Sequence, residues 1–353
     1  MRVTGRVGSK AAKVALLLGL LIGVVTVTGD GAAGAAGAPR TTGTTGIYAP
    51  LDQPGPPLSV PAPLLAASLQ CAGPLAGVGH DPVLLVPGTA LDPQDNYSWN
   101  YERGLTALGL PWCALTLPDH GMDDVGSAGE YVVSAIRSMA AASGRQVDIL
   151  GYSQGGMVPR WALRFWPDTR PLVRELVAID PSNHGTLDAS GLCRLRCPPS
   201  FWQQAAGSHF LQALNSGAET FAGIDYVVLY SRTDEVVFPN LSPAGSSALH
   251  TGAGAIENLA VQQRCPADPS EHLLMGTVDP VAYALATDAL VHEDLPSLRA
   301  VPGSTCLRLL APDVVPSQFP ARFVTMMAGI GAAIAGAPEV ASEPALPSYV
   351  YAH

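Results

Sequence analysis

Short apolar runs alternate with helical patterns along most of this chain. Pro82–Val86 (PVLLV), Val147–Leu150 (VDIL), Leu176–Ile179 (LVAI) and Tyr226–Tyr230 (YVVLY) read as buried strands ending in turn chemistry, and Glu257–Val261 reads as a last one. Between the first two, Ser127 and Glu130 have capping-box spacing, and Val132, Ile136 and Met139 follow at helical period. Val281–Leu290 and Phe323–Ala337 are further helical patterns. The second is short for a membrane span and too rich in Gly and Ala for a strand, so it is expected to pack on the domain as a late helix. Strands without polar alternation need both faces covered. The pattern therefore predicts an α/β fold, with a mostly parallel central sheet and helices on both faces. Chemistry in such sheets sits at the carboxyl ends of the strands.

The pattern changes before the first strand. Arg2, Arg6, Lys10 and Lys13 precede the apolar run Val14–Val27, and small-residue sites follow at Ala33-Gly34-Ala35 and Ala36-Gly37-Ala38. This is the layout of a secretory signal over residues 1–38. The run falls short of the roughly 18–20 residues that span a bilayer, so the chain is expected to be secreted, a retained anchor being the alternative. Residues 39–62, rich in Pro, Gly and Thr, are expected to form a flexible or extended tether. Residues 63–353 then make one domain.

Composition narrows the chemistry. Of 353 residues, 48% are hydrophobic and 14% charged, too apolar a balance for disorder. The net charge of −10 becomes −13 without residues 1–38, which carry four basic groups and one acid, Asp30. Both lysines of the chain, Lys10 and Lys13, leave with them. A mature chain without lysine excludes a Schiff base, a Walker-type phosphate loop and a Ser–Lys dyad. Its acidity excludes nucleic acid as a partner. The six cysteines, even in number in an exported chain, predict three disulfides whose pairing stays open at this point. Zinc on Cys193, Cys197 and His209 would lack a second ligand pair, so no metal is expected.

Gly151-Tyr152-Ser153-Gln154-Gly155 is a G-x-S-x-G pentapeptide, weak evidence alone and stronger in its setting. It directly follows the VDIL run and opens a helical segment, so Ser153 would stand on a tight strand-to-helix elbow. The helix N-terminus would aim amide donors at developing negative charge. Pro159 breaks a local rule inside that helix and predicts a kink or a late start. A serine nucleophile needs a base and an acid, which follow in the order Ser…Asp/Glu…His. Among the histidines beyond Ser153, His272 sits in the loop after the last strand pattern, ahead of a helix. Two acids compete, Asp180 ending LVAI and Asp234 ending YVVLYSRT, with a modest preference for Asp234 as the acid one strand before the histidine.

These residues, together with Pro82–Thr89, Ser153–Gly156, Trp202-Gln203-Gln204 and Thr233-Asp234-Glu235, resemble the lipase B family of secreted α/β-hydrolases from about Leu64 to Pro344. The resemblance implies an α/β-hydrolase fold with a short lid, and cleavage of carboxylic esters without a cofactor. It implies Ser153 as nucleophile, Asp234 as acid and His272 as base, with Thr89 and Gln154 as oxyanion donors through their amides and the Thr89 hydroxyl. It decides against Asp180. Tyr152, Ser182, Met327 and Ile334 would lie at the substrate pocket, Tyr152 and Ser182 as departures from the family pattern. It also implies the bridges Cys71–Cys113 and Cys265–Cys306, while Ser342 stands where a further family cysteine would be. In its place, a Cys193–Cys197 bridge is expected in the lid segment. Chain entropy gives so short a loop about 2 kcal/mol against about 4 for a loop of some forty residues, so its expected effect is to stiffen the lid. An ester or lipid substrate, contact with a lipid–water interface and a monomeric state complete the expectation. An acyltransferase or polyesterase would use the same residues, and a non-catalytic binding module could share the fold.

Overall fold

The computed structural model describes residues 48–292 and 294–352, so the expected leader and residues 39–47 lie outside the described residues. One sheet holds β1 (Leu69–Cys71), β2 (Val83–Val86), β3 (Trp112–Leu115), β4 (Val147–Tyr152), β5 (Val173–Ile179), β6 (Asp225–Tyr230) and β7 (Ala255–Ala260). Their order is β1-β3-β2-β4-β5-β6-β7, parallel throughout except where β1 pairs antiparallel with β3 at one edge.

Two cores explain the unbroken apolar runs. Leu84 and Val86 of β2, Ile149 of β4, and Tyr226 and Val228 of β6 enter one, beneath α1 (Val125–Ser143) and α2 (Gln154–Phe165). Val83, Leu85, Leu150, Val227 and Leu229 point the other way, into a second core under α5 (Pro280–Val291). With both faces covered, neither register of a strand tolerates a polar alternation. Three disulfides, Cys71–Cys113, Cys193–Cys197 and Cys265–Cys306, close the chain on itself.

Two expectations are corrected here. The tether is no tether from Tyr48 onward, because residues 48–61 lie across the domain as a strap. Arg164 Nη2 donates to the Ala49 carbonyl at 2.6 Å and Trp166 Nε1 to the Pro56 carbonyl at 2.9 Å, and Arg170 holds the Leu51 carbonyl. Backbone carbonyls suffice to hold a Pro- and Gly-rich segment, and they leave no mark in its sequence. The capping box also fails. α1 begins three residues earlier, with Asp124 as its N-cap accepting from Ser127 N–H at 2.7 Å, and Glu130 instead takes Ser59 and Val60 of the strap. The late helix is α6, Phe319–Gly336, long and apolar enough to cross a membrane by length and composition alone. It packs on the domain as expected, with Met326 and Ile330 buried in the second core, Phe319, Phe323, Met327 and Ile334 half-buried against it, and Val324 exposed.

Candidate active site

Ser153 stands between β4 and α2 with φ 54° and ψ −121°, a conformation that non-glycine residues rarely adopt. The flanking glycines make this turn possible. A Cβ on Gly151 would sit 2.0 Å from the Gly155 carbonyl oxygen, and one on Gly155 would sit 2.0 Å from that of Val86. Any side chain at either position would force the elbow open. Helix α2 starts at once, at Gln154, and runs through Pro159, so the late start does not occur.

His272 comes from the loop after β7, as the first residue of the short helix α4 (His272–Met275), whose N-cap is Glu271. Its Nε2 lies 3.0 Å from Ser153 Oγ and its Nδ1 lies 2.8 Å from Asp234 Oδ2. Asp234, after β6, accepts at Oδ1 from the Val236 and Val237 amides, both at 2.8 Å. The three side chains, distant in sequence, thus form one hydrogen-bonded chain, and all three are buried. Burial by itself would lower the imidazole pKa. The carboxylates of Asp234, Glu235 and Glu271 outweigh it and raise that pKa above the usual value. Beside them Glu235 is pushed up to about 8, chiefly by its own burial and then by Glu271.

The other contested acid lies close by. Asp180 ends β5 with φ 42°, and its Oδ1 accepts from Ser231 N–H at 2.8 Å. Burial, and then the charge of Asp234, push its carboxyl well above the ordinary range. Among the described residues, Asp180, Asp234 and His272 are the one group of such side chains with donor atoms close enough to share a metal ion. Both imidazole nitrogens already hold hydrogen bonds there, so a cation would have to displace them.

Thr89 follows β2 and faces Gln154. Neither backbone N–H has an acceptor among the described residues. The Thr89 hydroxyl donates to Gln154 Oε1 at 2.8 Å and accepts from Gln204 Nε2 at 3.0 Å. Its proton is therefore committed to Gln154 rather than free for substrate, which differs from the expectation. Gln154 Nε2 is buried without a partner. Rotating that carboxamide would turn it into a donor and release the Thr89 proton.

An apolar cleft opens above these groups, walled by Leu91, Leu192, Phe201, Val237, Ile330 and Ile334 among others. Of the four expected pocket residues, Tyr152 and Ile334 line it. Ser182 and Met327 do not. Ser182 is buried behind the wall, where its hydroxyl donates to Gln204 Oε1 at 2.9 Å, and Met327 packs against the second core. Tyr152 does more than shape the cleft, since its hydroxyl donates to the His272 carbonyl at 3.0 Å. The short helix α3 (Leu187–Leu192), which leads into the Cys193–Cys197 bridge, supplies Ala189 and Leu192 to the rim.

Two residues assigned no site role from the sequence support this arrangement. Asn96 accepts from Gly88 N–H at 3.1 Å and donates to the Gly276 carbonyl at 3.3 Å, tying the Thr89 loop to the segment after His272. Asn96 opens an N-x-S sequon in the sequence, as Asn240 does, and both side chains are buried. Gln204, second in Gln203-Gln204, joins Ser182 to Thr89.

The family described as Lipase (class 2) matches residues 130–258. Lipase B from Pseudozyma antarctica is 34% identical over 300 residues, covering 83% of this chain and 86% of that protein. The crystal structure of Aspergillus fumigatus lipase B superposes with a TM-score of 0.77 at 29% identity, covering 89% of this chain and 77% of that one. With the sheet order, the elbow at Ser153 and this identity over most of both chains, the protein belongs to the lipase B family of α/β-hydrolases.

Proposed function

We propose that the protein hydrolyses carboxylic esters, lipids included, through an acyl-enzyme on Ser153. The observation that carries this reading is the chain from Ser153 Oγ to His272 Nε2, 3.0 Å, and from His272 Nδ1 to Asp234 Oδ2, 2.8 Å. His272 takes the proton of Ser153 as Oγ attacks the ester carbonyl. The Thr89 and Gln154 amides receive the oxyanion, each donor contributing about 3 kcal/mol to the barrier reduction. His272, held in tautomer and orientation by Asp234, then passes its proton to the leaving alcohol. Water repeats the sequence on the acyl-enzyme and releases the acid. The hydroxyl of Thr89 joins the oxyanion hole once the Gln154 amide turns.

The apolar cleft suits acyl chains, in keeping with the lipase names of the relatives. Helix α6 carries Ile330 and Ile334 into the cleft and leaves Val324 67% exposed, so one apolar helix borders both the cleft and solvent. Contact with a lipid–water interface follows from that placement. Secretion belongs to the same reading, resting on the leader pattern and the three disulfides.

The deciding experiment is Ser153→Ala with nitrophenyl esters. The variant should melt like the parent and lose about 10⁴-fold or more in kcat. Retention of most activity would refute the assignment.

A further inference from the structure

Asp180 competed with Asp234 in the sequence, and the fold sets both beside His272. The Asp180 side chain is fully buried, and while Oδ1 accepts from Ser231 N–H, Oδ2 has no partner. One oxygen of Asp180, one of Asp234 and a ring nitrogen of His272 all lie within 4.8 Å of one another. Two carboxyls so close in a dry site do not both ionise. Asp234 is placed to carry the charge, because it accepts from two amides and faces the imidazole. Asp180 accepts a single amide and is pushed towards its protonated form by burial and by Asp234. A neutral acid therefore waits behind a charged one.

We propose that Asp180 is a reserve positioning residue for His272, taking over the imidazole when Asp234 is removed and its space left open. This rests on the Ser153–His272–Asp234 reaction described above. Truncating residue 234 at Cβ removes the like charge and opens a space that water can enter, which relieves the burial that chiefly holds Asp180 neutral, so its proton passes to that water and Asp180 becomes a carboxylate. Its oxygen, within 4.8 Å of the ring, then needs to move about 2 Å to reach hydrogen-bond distance. When Ser153 Oγ gives its proton to Nε2, the imidazolium again stands against a carboxylate, now that of Asp180. Asp234→Asn behaves differently. The amide keeps the space filled and donates to Nδ1, which moves the ring proton to Nε2 and leaves no lone pair to accept the serine proton.

The inference inverts the usual order, in which the conservative change is the milder one. In the full chain assayed on nitrophenyl butyrate, Asp234→Asn should cost about 10⁴ in kcat and Asp234→Ala about 10² or less. Adding Asp180→Asn to Asp234→Ala should bring the loss to about 10⁴, with little change in KM. Asn at 180 keeps an acceptor for Ser231 N–H, and melting temperatures check the fold. The comparison at position 234 needs no change at 180, so it stands even if the double variant folds poorly. Equal losses for Asp234→Ala and Asp234→Asn would overturn the inference. So would an Asp180→Asn loss that is the same with Asp234 intact. Ser153→Ala assayed alongside separates the two claims. An active Ser153→Ala sinks the underlying reaction, while an inactive one beside an equally inactive Asp234→Ala sinks only the reserve role.

Discussion

Thr89→Val tests whether the oxyanion site depends on a hydroxyl as well as on amides. The substitution keeps the shape and removes one oxygen, which donates to Gln154 Oε1 at 2.8 Å and accepts from Gln204 Nε2 at 3.0 Å. Both glutamines are buried, so each loses a partner that water cannot easily replace. An orphaned buried polar group costs about 1–3 kcal/mol, and since Gln204 Nε2 keeps the Ser200 carbonyl at 3.3 Å, Gln154 Oε1 is the one left without a partner, which predicts a loss of about 1–3 kcal/mol in stability. In a domain of this size that lowers the melting temperature by about 2 °C per kcal/mol. The catalytic effect is separate and larger. A hydroxyl that bonds only the transition-state oxyanion is worth about 3 kcal/mol, or about 10²-fold in kcat with KM nearly unchanged. Steady-state kinetics on nitrophenyl butyrate, with thermal melts of the same preparations, read both effects. Thr89→Ser, which retains the hydroxyl, should keep most of the activity. If Thr89→Val melts lower while kcat stays within a few-fold of the parent, the hydroxyl is only a strut between two glutamines. The oxyanion reading would then rest on the amides alone.

Two further predictions follow from the electrostatics. His272 acts as a base only when neutral, and its pKa is raised above 6.5 because Asp234, Glu235 and Glu271 outweigh its burial. Activity should therefore fall as pH drops through a value above 6.5, and an acid limb of kcat/KM below that value would contradict the field described here. Arg174 bonds Asp148 Oδ2 at 2.6 Å and Glu175 Oε2 at 3.3 Å, and both carboxyl side chains are 1% exposed. Removing it as Arg174→Met should cost about 3 kcal/mol at neutral pH by stranding a buried charge. Burial already raises these two carboxyls, to about 6 and about 8, and the variant raises them further. The deficit should hence close as pH falls to about 4, where both carboxyls are protonated in the folded state of parent and variant alike and the unfolded states titrate identically. A denaturant-derived gap that stays constant with pH would refute this account.

The sequence disclosed what depends on local period and left hidden what depends on distant partners. Strands β2, β4, β5, β6 and β7 were legible because burial on both faces writes itself as an apolar run. The short strands β1 and β3 were not, since β1 is largely exposed at the edge and β3 opens with a half-buried Trp112. Ser127-x-x-Glu130 had the right spacing, but Glu130 was claimed by Ser59 and Val60 some seventy residues upstream. The strap was misread for the same reason, its partners being Arg164, Trp166 and Arg170. In the site, the order Ser…Asp…His and the elbow glycines were readable because a mechanism fixes them. That Ser182 stands behind Gln204 and Met327 sinks inward depends on packing angles that no spacing encodes.

The strap has a consequence for where this molecule can be handled. Ala49 N–H bonds the Val350 carbonyl at 2.8 Å, and the rings of Tyr48 and Tyr351 stack at 6.3 Å, so the first and last described residues are neighbours. They meet beside Tyr349, which packs on Phe165 and Trp166 at the far end of α2. Ser153 is at the near end, about 18 Å away along a helix of this length. A tag, a surface attachment or a fused partner joined at residue 48 or at residue 352 would thus leave the mouth of the enzyme clear. A short peptide closing residue 352 onto residue 48 would allow new termini to be cut elsewhere, making a circularly permuted enzyme a practical construction.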